Sequence, residues 1–520
     1  MTTTTAAGTT GEAAPAASRT MVSASLPPMR HATPSALAAA LALALASCSG
    51  ELGGPGAFVD AAGAGALAGD RYAEIAENAF VLAAEAPVST FSIDADGGSY
   101  ANARRYVVDE GLRPPADAVR TEEFVNYFDL GYAYPDPMHP LAAHGEVSAC
   151  PWAPAHRLVR IGLRGAPLAE RVATNFVFLV DVSGSMLGTD RLDLLKAGFG
   201  AFAKTLDARD RVAIVTYGSD SGVALAPTPG SEQGAILAAL DGLAAGGRTA
   251  GAAGLRTAYD LAEDNFVTGG NNRVIVGTDG DFNVGPSDTE ELVALIEARR
   301  EAGVFLTVVG VGRGNLNDAG LEQLANRGNG TYEYAGSASD IEKVFIHERS
   351  RFTTVAQDVK VRVAFDTTLV RAYRLIGYEN RLLSAEDFDD EDADAGELGA
   401  DQSVTALYEV VPAGVPDGGE ALGEVTTCTI ELRYRRPGQP DGAALSLPVL
   451  DAGGAFAEAS APHRFAAATA GFALLIRQSD YRGTMTADSA RLWLQATREL
   501  PDPHGYKRGL REMVEAFRRL

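Results

Sequence analysis

Hydrophobic and polar positions follow three different periods along this chain. Between residues 171 and 350, uninterrupted apolar runs alternate with segments whose apolar positions recur every three to four residues. The runs are 175–181 (NFVFLVD), 211–217, 273–278 (RVIVGT) and 304–311 (VFLTVVGV). Short runs rich in Val, Ile and Phe predict strands buried on both faces. The intervening segments 192–206, 235–243, 252–266, 290–301 and 319–326 predict helices. A hairpin is expected around 224–228, and 340–350 closes the set. Strands alternating with helices predict an α/β unit: a mainly parallel, Rossmann-like sheet with helices on both faces.

On either side the period drops to two. Residues 145–150 and 157–165 before the α/β unit alternate as strands, as do 359–365, 404–411 and 425–434 after it. The α/β unit is therefore expected to interrupt a β-rich flanking domain. Residues 463–520 return to a helical period, with Phe465, Ala468, Phe472 and Ile476 on one amphipathic face. Residues 71–84 also have helical spacing (Tyr72, Ile75, Ala79, Leu82), and Pro87 stops it. The expected organisation is a leader with an N-terminal extension at 1–47 and a tether at 48–70. A flanking region follows at 71–170, the α/β unit at 171–350, a β-rich domain at 351–462 and a helical end at 463–520.

Residues 1–28 have no apolar period, and Met21 and Met29 are alternative starts. Arg30 precedes an apolar run at 37–46 that ends in Leu45-Ala46-Ser47-Cys48. The run is too short to cross a bilayer, which takes about 20 residues, but suits a signal-peptide core. The ending resembles the lipobox of bacterial lipoproteins, which implies export, acylation of Cys48 and anchoring in the cell envelope. Ser49 rather than Asp after the cysteine favours the outer membrane by that resemblance. Residues 49–70 are Gly/Ala-rich and read as a flexible spacer.

Composition narrows the function classes. Lys+Arg number 44 against 68 Asp+Glu in 520 residues, a net charge of −24. That balance excludes a general nucleic-acid binder, which needs a basic footprint. Three cysteines do not make a disulfide scaffold. Cys150 and Cys428 flank the α/β unit and, in an oxidising compartment, are candidates to pair; two isolated buried thiols are the alternative. Nine acidic residues crowd 386–401, read as a solvated loop rather than a calcium site, and Asp94-Ala95-Asp96-Gly97 reads as a turn. The basic end (Lys507, Arg508, Arg511, Arg518, Arg519) reads as compensation of a helix dipole, with contact to anionic lipid or an acidic partner as the alternative.

In parallel sheets, ligands sit beyond the carboxyl ends of strands. Asp181 and Asp279 lie there, as do the hydroxyls of Ser183 and Ser185, while Thr249 sits in the loop 245–251. Two carboxylates and three hydroxyls form an all-oxygen site for a hard cation, best Mg²⁺, with Mn²⁺ or Ca²⁺ as alternatives. Asp281 and Asn283 either hold waters at the edge of this site or cap the next helix. Arg248 either attracts an acidic partner or is solvated.

This constellation resembles the von Willebrand factor A (vWA) domain and its metal-ion-dependent adhesion site, D-x-S-x-S, then Thr, then Asp in a T-D-G context. The resemblance implies that Asp181, Ser183, Ser185, Thr249 and Asp279 hold the metal and that a protein partner's Asp or Glu completes it. Segments 89–107, 112–132, 148–152, 404–414 and 464–483 resemble the flanks of the vWA domain in a family of bacterial vWA lipoproteins. That likeness runs from about residue 71 to the end of the chain and implies location and fold, not a partner.

Enzyme readings are weaker. Residues 242–249 (GLAAGGRT) have Arg in place of the P-loop Lys and follow a helix rather than a strand, which argues against a nucleotide site. Residues 218–222 (GSDSG) place Asp where a nucleophile elbow needs Ser. Seven histidines show no zinc-ligand spacing. The expectation is a membrane-anchored binding protein rather than an enzyme. A metal-dependent hydrolase or chaperone-like envelope factor using the same cation is the alternative.

Overall fold

The computed structural model describes residues 69–520 apart from 219–220, 247–250, 281–285, 329, 391–392, 415–424 and 440, and the side chains of 286–290. All of them fall within one unit of the chain, Ala61–Leu520. The first elements are β1 (Val81–Leu82), β2 (Val88–Ser92), α1 (Gly98–Arg104), α2 (Thr121–Asn126), β3 (Leu141–Ala149) and β4 (Arg157–Gly165).

The α/β unit follows as β5 (Thr174–Asp181), α3 (Leu192–Ala203), β6 (Arg211–Tyr217), β7 (Gly222–Pro229), α4 (Gln233–Asp241), α5 (Gly251–Asp264) and β8 (Asn271–Thr278). It continues with α6 (Pro286–Glu301), β9 (Val304–Val311), α7 (Asp318–Arg327), β10 (Tyr332–Ala335) and α8 (Ala338–Glu342). Its six strands lie in the order β10-β9-β8-β5-β6-β7, and β6–β7 is the antiparallel hairpin at one edge. Successive side chains on a strand point to opposite faces. Phe176, Phe178 and Val180 therefore pack with Leu195 of α3, Ile236 of α4 and Ile341 of α8. Val177 and Leu179 pack on the other face with Leu255 of α5, Ile296 of α6 and Leu321 of α7. This is the doubly covered sheet that the apolar runs predict.

After it come β11 (Thr354–Phe365), β12 (Val370–Ile376), α9 (Ala385–Asp389), β13 (Gly396–Gly399), β14 (Ser403–Pro412), β15 (Val425–Arg435) and β16 (Gly442–Asp451). The chain ends in α10 (Ala461–Ile476), α11 (Ala487–Gln495) and α12 (Tyr506–Phe517). One sheet orders β1-β12-β14-β4-β3; the other orders β13-β11-β15-β16, with β2 also paired to β11. Strand β4 precedes the α/β unit and β14 follows it, yet they pair from Ser403↔Arg164 to Val410↔Arg157. The two sheets enclose a core of Val159, Ile161, Tyr408, Val361, Val363 and Ile430. Each such aliphatic side chain contributes about 1.5–3 kcal/mol when buried. The α/β unit is thus inserted into a β-sandwich.

Four expectations change. Residues 72–80 form no helix. An isolated helix of that length is marginal in water, and here other segments take its polar groups: Asn78 donates to the carbonyls of Leu375 and Gly377 at 3.3 and 2.8 Å. Helix α10 is buried all round rather than on one stripe, because α11 and α12, α2 and Trp152 surround it. The acidic stretch is solvated but not all loop: it carries α9 and β13, and the exposed Asp389 and Asp394 pair with Arg433 at 2.6 Å and Arg300 at 2.8 Å. Cys150 and Cys428 do not pair; both are free and buried. Cys150 packs beside Trp152 and the C-terminal helices, whereas Cys428 lies inside the sandwich opposite Phe365. Burial pushes both thiols up, Cys428 to about 12.

Candidate functional site

Strands β5 and β8 are parallel neighbours, with Val180 opposite Gly277. Their carboxyl ends therefore place Asp181 and Asp279 side by side, 0% and 1% exposed. The chain turns after Asp181 through a short 3₁₀ segment, Gly184–Met186, which is anchored by the buried Met186. That turn brings the Ser183 and Ser185 hydroxyls to 2.9 Å of each other. The structure thus brings together four of the five expected ligands. Thr249 lies outside the described residues, as do Asp281, Asn283 and Cys48.

Asp181 is held at both oxygens. The Ser183 amide donates to Oδ1 at 2.8 Å and the Thr278 hydroxyl donates to Oδ2 at 3.1 Å. Its pKa is nonetheless raised: burial is the largest cause, and the Asp279 carboxylate adds to it against these donors. Tyr217, at the end of β6, is fully buried beside Asp181 and Thr278. Burial, and then the Asp181 charge, push its hydroxyl well above the usual range.

Gly280 follows Asp279 with φ +112°. A Cβ there would lie 2.4 Å from the Asn317 amide nitrogen, so the turn after β8 admits glycine alone. The loop 312–317, between β9 and α7, is the surface it touches. Arg191, in the loop before α3, ties the pieces together. Its guanidinium donates to the Ser185 carbonyl and, at 2.8 Å, to the Arg313 carbonyl, and lies 3.9 Å from Asp279 Oδ2.

Arg191, Tyr217 and Thr278 do not emerge from sequence reasoning. Thr278 adjoins Asp279 and was open to discovery. Arg191 and Tyr217 carry no local signal, because their role depends on which loops and strand ends meet.

The donor set fits a hard divalent cation: two buried carboxylates and two hydroxyls, all oxygen. Two adjacent buried carboxylates disfavour ionisation unless positive charge compensates them. Arg191 supplies some at 3.9 Å, longer than a hydrogen bond. No group of three or more His, Cys, Asp or Glu side chains placed to hold a metal occurs among the described residues. The hydroxyls are therefore needed to complete this oxygen site.

Residues 66–160 match the family described as von Willebrand factor, and residues 176–281 match the von Willebrand factor type A domain. Residues 350–520 match the family described as uncharacterized protein YfbK, C-terminal. The chain is 36% identical over 467 residues to the uncharacterized protein YfbK of Escherichia coli (strain K12), covering 86% of this chain and 80% of that protein. Among solved structures, it is similar to a von Willebrand factor type A protein from Catenulispora acidiphila, at 16% identity and a TM-score of 0.42. That likeness covers 75% of this chain and 91% of the other. It is also similar to the ArnB paralog VWA2 from Sulfolobus acidocaldarius, at 11% identity and a TM-score of 0.36, over 73% of this chain and 98% of the other.

Proposed function

Because the chain belongs to the YfbK family and carries a von Willebrand factor type A domain, we propose that it is an envelope-anchored binding protein. It captures a partner's carboxylate through a divalent cation held by Asp181, Ser183, Ser185, Thr249 and Asp279. The observation that carries this reading is the burial of Asp181 and Asp279 at adjacent strand ends, beside two serine hydroxyls 2.9 Å apart.

When bound, Mg²⁺ (or Mn²⁺ or Ca²⁺) supplies an electrophilic centre that takes an Asp or Glu oxygen of the partner protein. The chain's own residues prepare that centre. The Ser183 amide and Thr278 hydroxyl orient Asp181, and Arg191 fixes the Ser185 loop against the loop after β9. Two carboxylates neutralise a divalent cation, and neutral hydroxyls add no further anionic charge. The centre therefore still favours one more anionic oxygen. Asp281 and Asn283 either hold waters at its edge or cap α6.

Attachment is assigned to a lipid on Cys48, at the outer membrane in preference to the inner. No helix among the described residues is long and apolar enough to cross a membrane.

Calorimetric titration of Mg²⁺ into the wild type and Asp181→Ala tests the cation site. Capture of envelope proteins with and without EDTA tests the use made of it. Capture indifferent to both EDTA and Asp181→Ala would remove the adhesion reading. Metal-dependent turnover of a substrate would replace it with the hydrolase alternative. Release of Cys48→Ser from the membrane fraction tests the anchor.

A further inference from the structure

We propose that Asp70, where the N-terminal stretch joins the fold, is a positioning residue for the candidate metal face, so that the tether and the cation are energetically coupled. The identity of the cation rests on the reading above; the coupling rests on the contacts that follow.

The segment Gly69–Arg71 docks on the loop 312–317 rather than on its sequence neighbours. The Leu316 amide donates to Asp70 Oδ1 at 3.0 Å. The Arg71 amide donates to the Leu316 carbonyl at 2.7 Å, and the Asp318 amide donates to the Arg71 carbonyl at 3.1 Å. Arg71 and Asn317 thereby form a parallel β-bridge outside any sheet. A Cβ on Gly69 would lie 2.0 Å from the Gly314 carbonyl oxygen, so the approach is as close as backbone allows.

Asp70 is also the joint between that loop and the helical turn Arg105–Asp109 that continues α1. Its Oδ2 accepts from Arg105 Nη2 at 2.9 Å and from the Tyr106 hydroxyl at 3.0 Å, and its side chain is fully buried. Removing it leaves buried donors without their acceptor, the costlier half of losing a hydrogen bond. The loop has little stiffness of its own, since Gly312 and Gly314 both sit at positive φ (78° and 79°).

The same loop backs the metal face. The Asn317 amide is the atom against which Gly280, next to Asp279, is packed. The Arg313 carbonyl takes the Arg191 guanidinium that also holds the Ser185 carbonyl. Two short routes therefore lead from Asp70 to the candidate ligands: through Leu316–Asn317 to Gly280 and Asp279, and through Arg313 and Arg191 to Ser185. Contiguous contacts of this kind can carry coupling, and coupling between two sites is reciprocal. Gly69–Arg71 is the first segment among the described residues, with twenty residues between it and Cys48 in sequence.

The test uses the full chain and Mg²⁺ itself. Asp70→Ala should weaken Mg²⁺ affinity about tenfold, within the usual range of coupling between sites. It should also speed amide exchange across 276–280 and 310–318 while leaving β15 and β16 as in the wild type. By reciprocity, Mg²⁺ should slow exchange at residues 70–72 of the wild type. Asp117→Ala, which removes a bond to the Ile75 amide further along the same segment, should leave Mg²⁺ affinity unchanged. Wild-type affinity and exchange in Asp70→Ala, or equal weakening by Asp117→Ala, would overturn the proposal. If Asp70→Ala does not fold, Asp70→Asn keeps an acceptor for Leu316 and should shift affinity in the same direction by less; no shift in that variant overturns the proposal as well. If the wild type binds no Mg²⁺, the cation reading fails by itself. The positioning role of Asp70 then stands or falls on whether the Asp70 variant speeds exchange across 276–280.

Discussion

The Thr278 hydroxyl donates to Asp181 Oδ2 at 3.1 Å, across the two strand ends that carry the candidate cation ligands. With the Ser183 amide on the other oxygen, it holds an anion in a place where burial disfavours one.

Replacing Asp181 with Asn removes that buried charge while keeping its shape. The apo variant should melt no lower than the apo wild type, since relief of desolvation offsets a weakened hydrogen bond. Saturating Mg²⁺ should raise the melting temperature of the wild type alone. At a hundred times Kd, a ligand stabilises by about 2.7 kcal/mol. Thermal unfolding of both proteins with and without Mg²⁺ checks this, and an equal Mg²⁺ shift in both would refute it.

Arg157 and Asp451 join the start of β4 to the end of β16 through two hydrogen bonds, at 2.7 and 2.5 Å, with both side chains buried. Asp451→Ala should cost about 3–5 kcal/mol, because it strands a buried guanidinium. Arg157→Met combined with Asp451→Leu should recover most of that loss, since no charge is then left buried. Urea midpoints of the three proteins decide it. A double variant as unstable as the single one would show that the pair itself stabilises.

His463 is buried in the first turn of α10, its Nε2 2.9 Å from the Ser148 hydroxyl. Burial first, and then the Arg160 charge, lower its pKa to about 3. The folded chain therefore refuses a proton that the unfolded chain accepts below the ordinary histidine value of about 6.5. Unfolding binds a proton in that window, so stability falls as pH drops from 6.5 toward 3, by up to about 1.4 kcal/mol per unit. His463→Leu should reduce this slope, leaving the part due to His144 and His347, whose pKa values burial also lowers, and the opposing part due to Glu122, raised to about 8. Urea unfolding between pH 6.5 and 5, above the range where ordinary carboxylates titrate, reads it. An unchanged slope would count against the assignment.

Cys150 and Cys428 lie in different cores as free thiols. A reductant should therefore leave the melting temperature unchanged. Both thiols should react with a thiol reagent only after denaturation, because burial keeps them in the unreactive protonated form. Stabilisation that dithiothreitol abolishes would show a disulfide instead.

Strands buried over most or all of their length were legible one by one. The expected runs 157–165 and 211–217 coincide with β4 and β6. Strand β16 was not legible: it is a half-exposed edge strand containing Pro448, and edge strands carry a weak apolar signal. Residues 71–84 misled, because their helical spacing was overruled by backbone partners that only the folded chain brings near.

The sequence by itself determined the α/β alternation, the carboxylates and hydroxyls at the strand ends, and the interruption of a β-rich domain. These are local facts: period and position relative to a strand end survive without knowledge of neighbours. Only the tertiary structure decided that β4 pairs with β14, that Cys150 and Cys428 stay apart, that Arg191 spans two loops, and that Asp70 sits behind the candidate metal face. Each is a choice of distant partner. That choice follows from how whole sheets and helices bury their surfaces together, which no local pattern encodes.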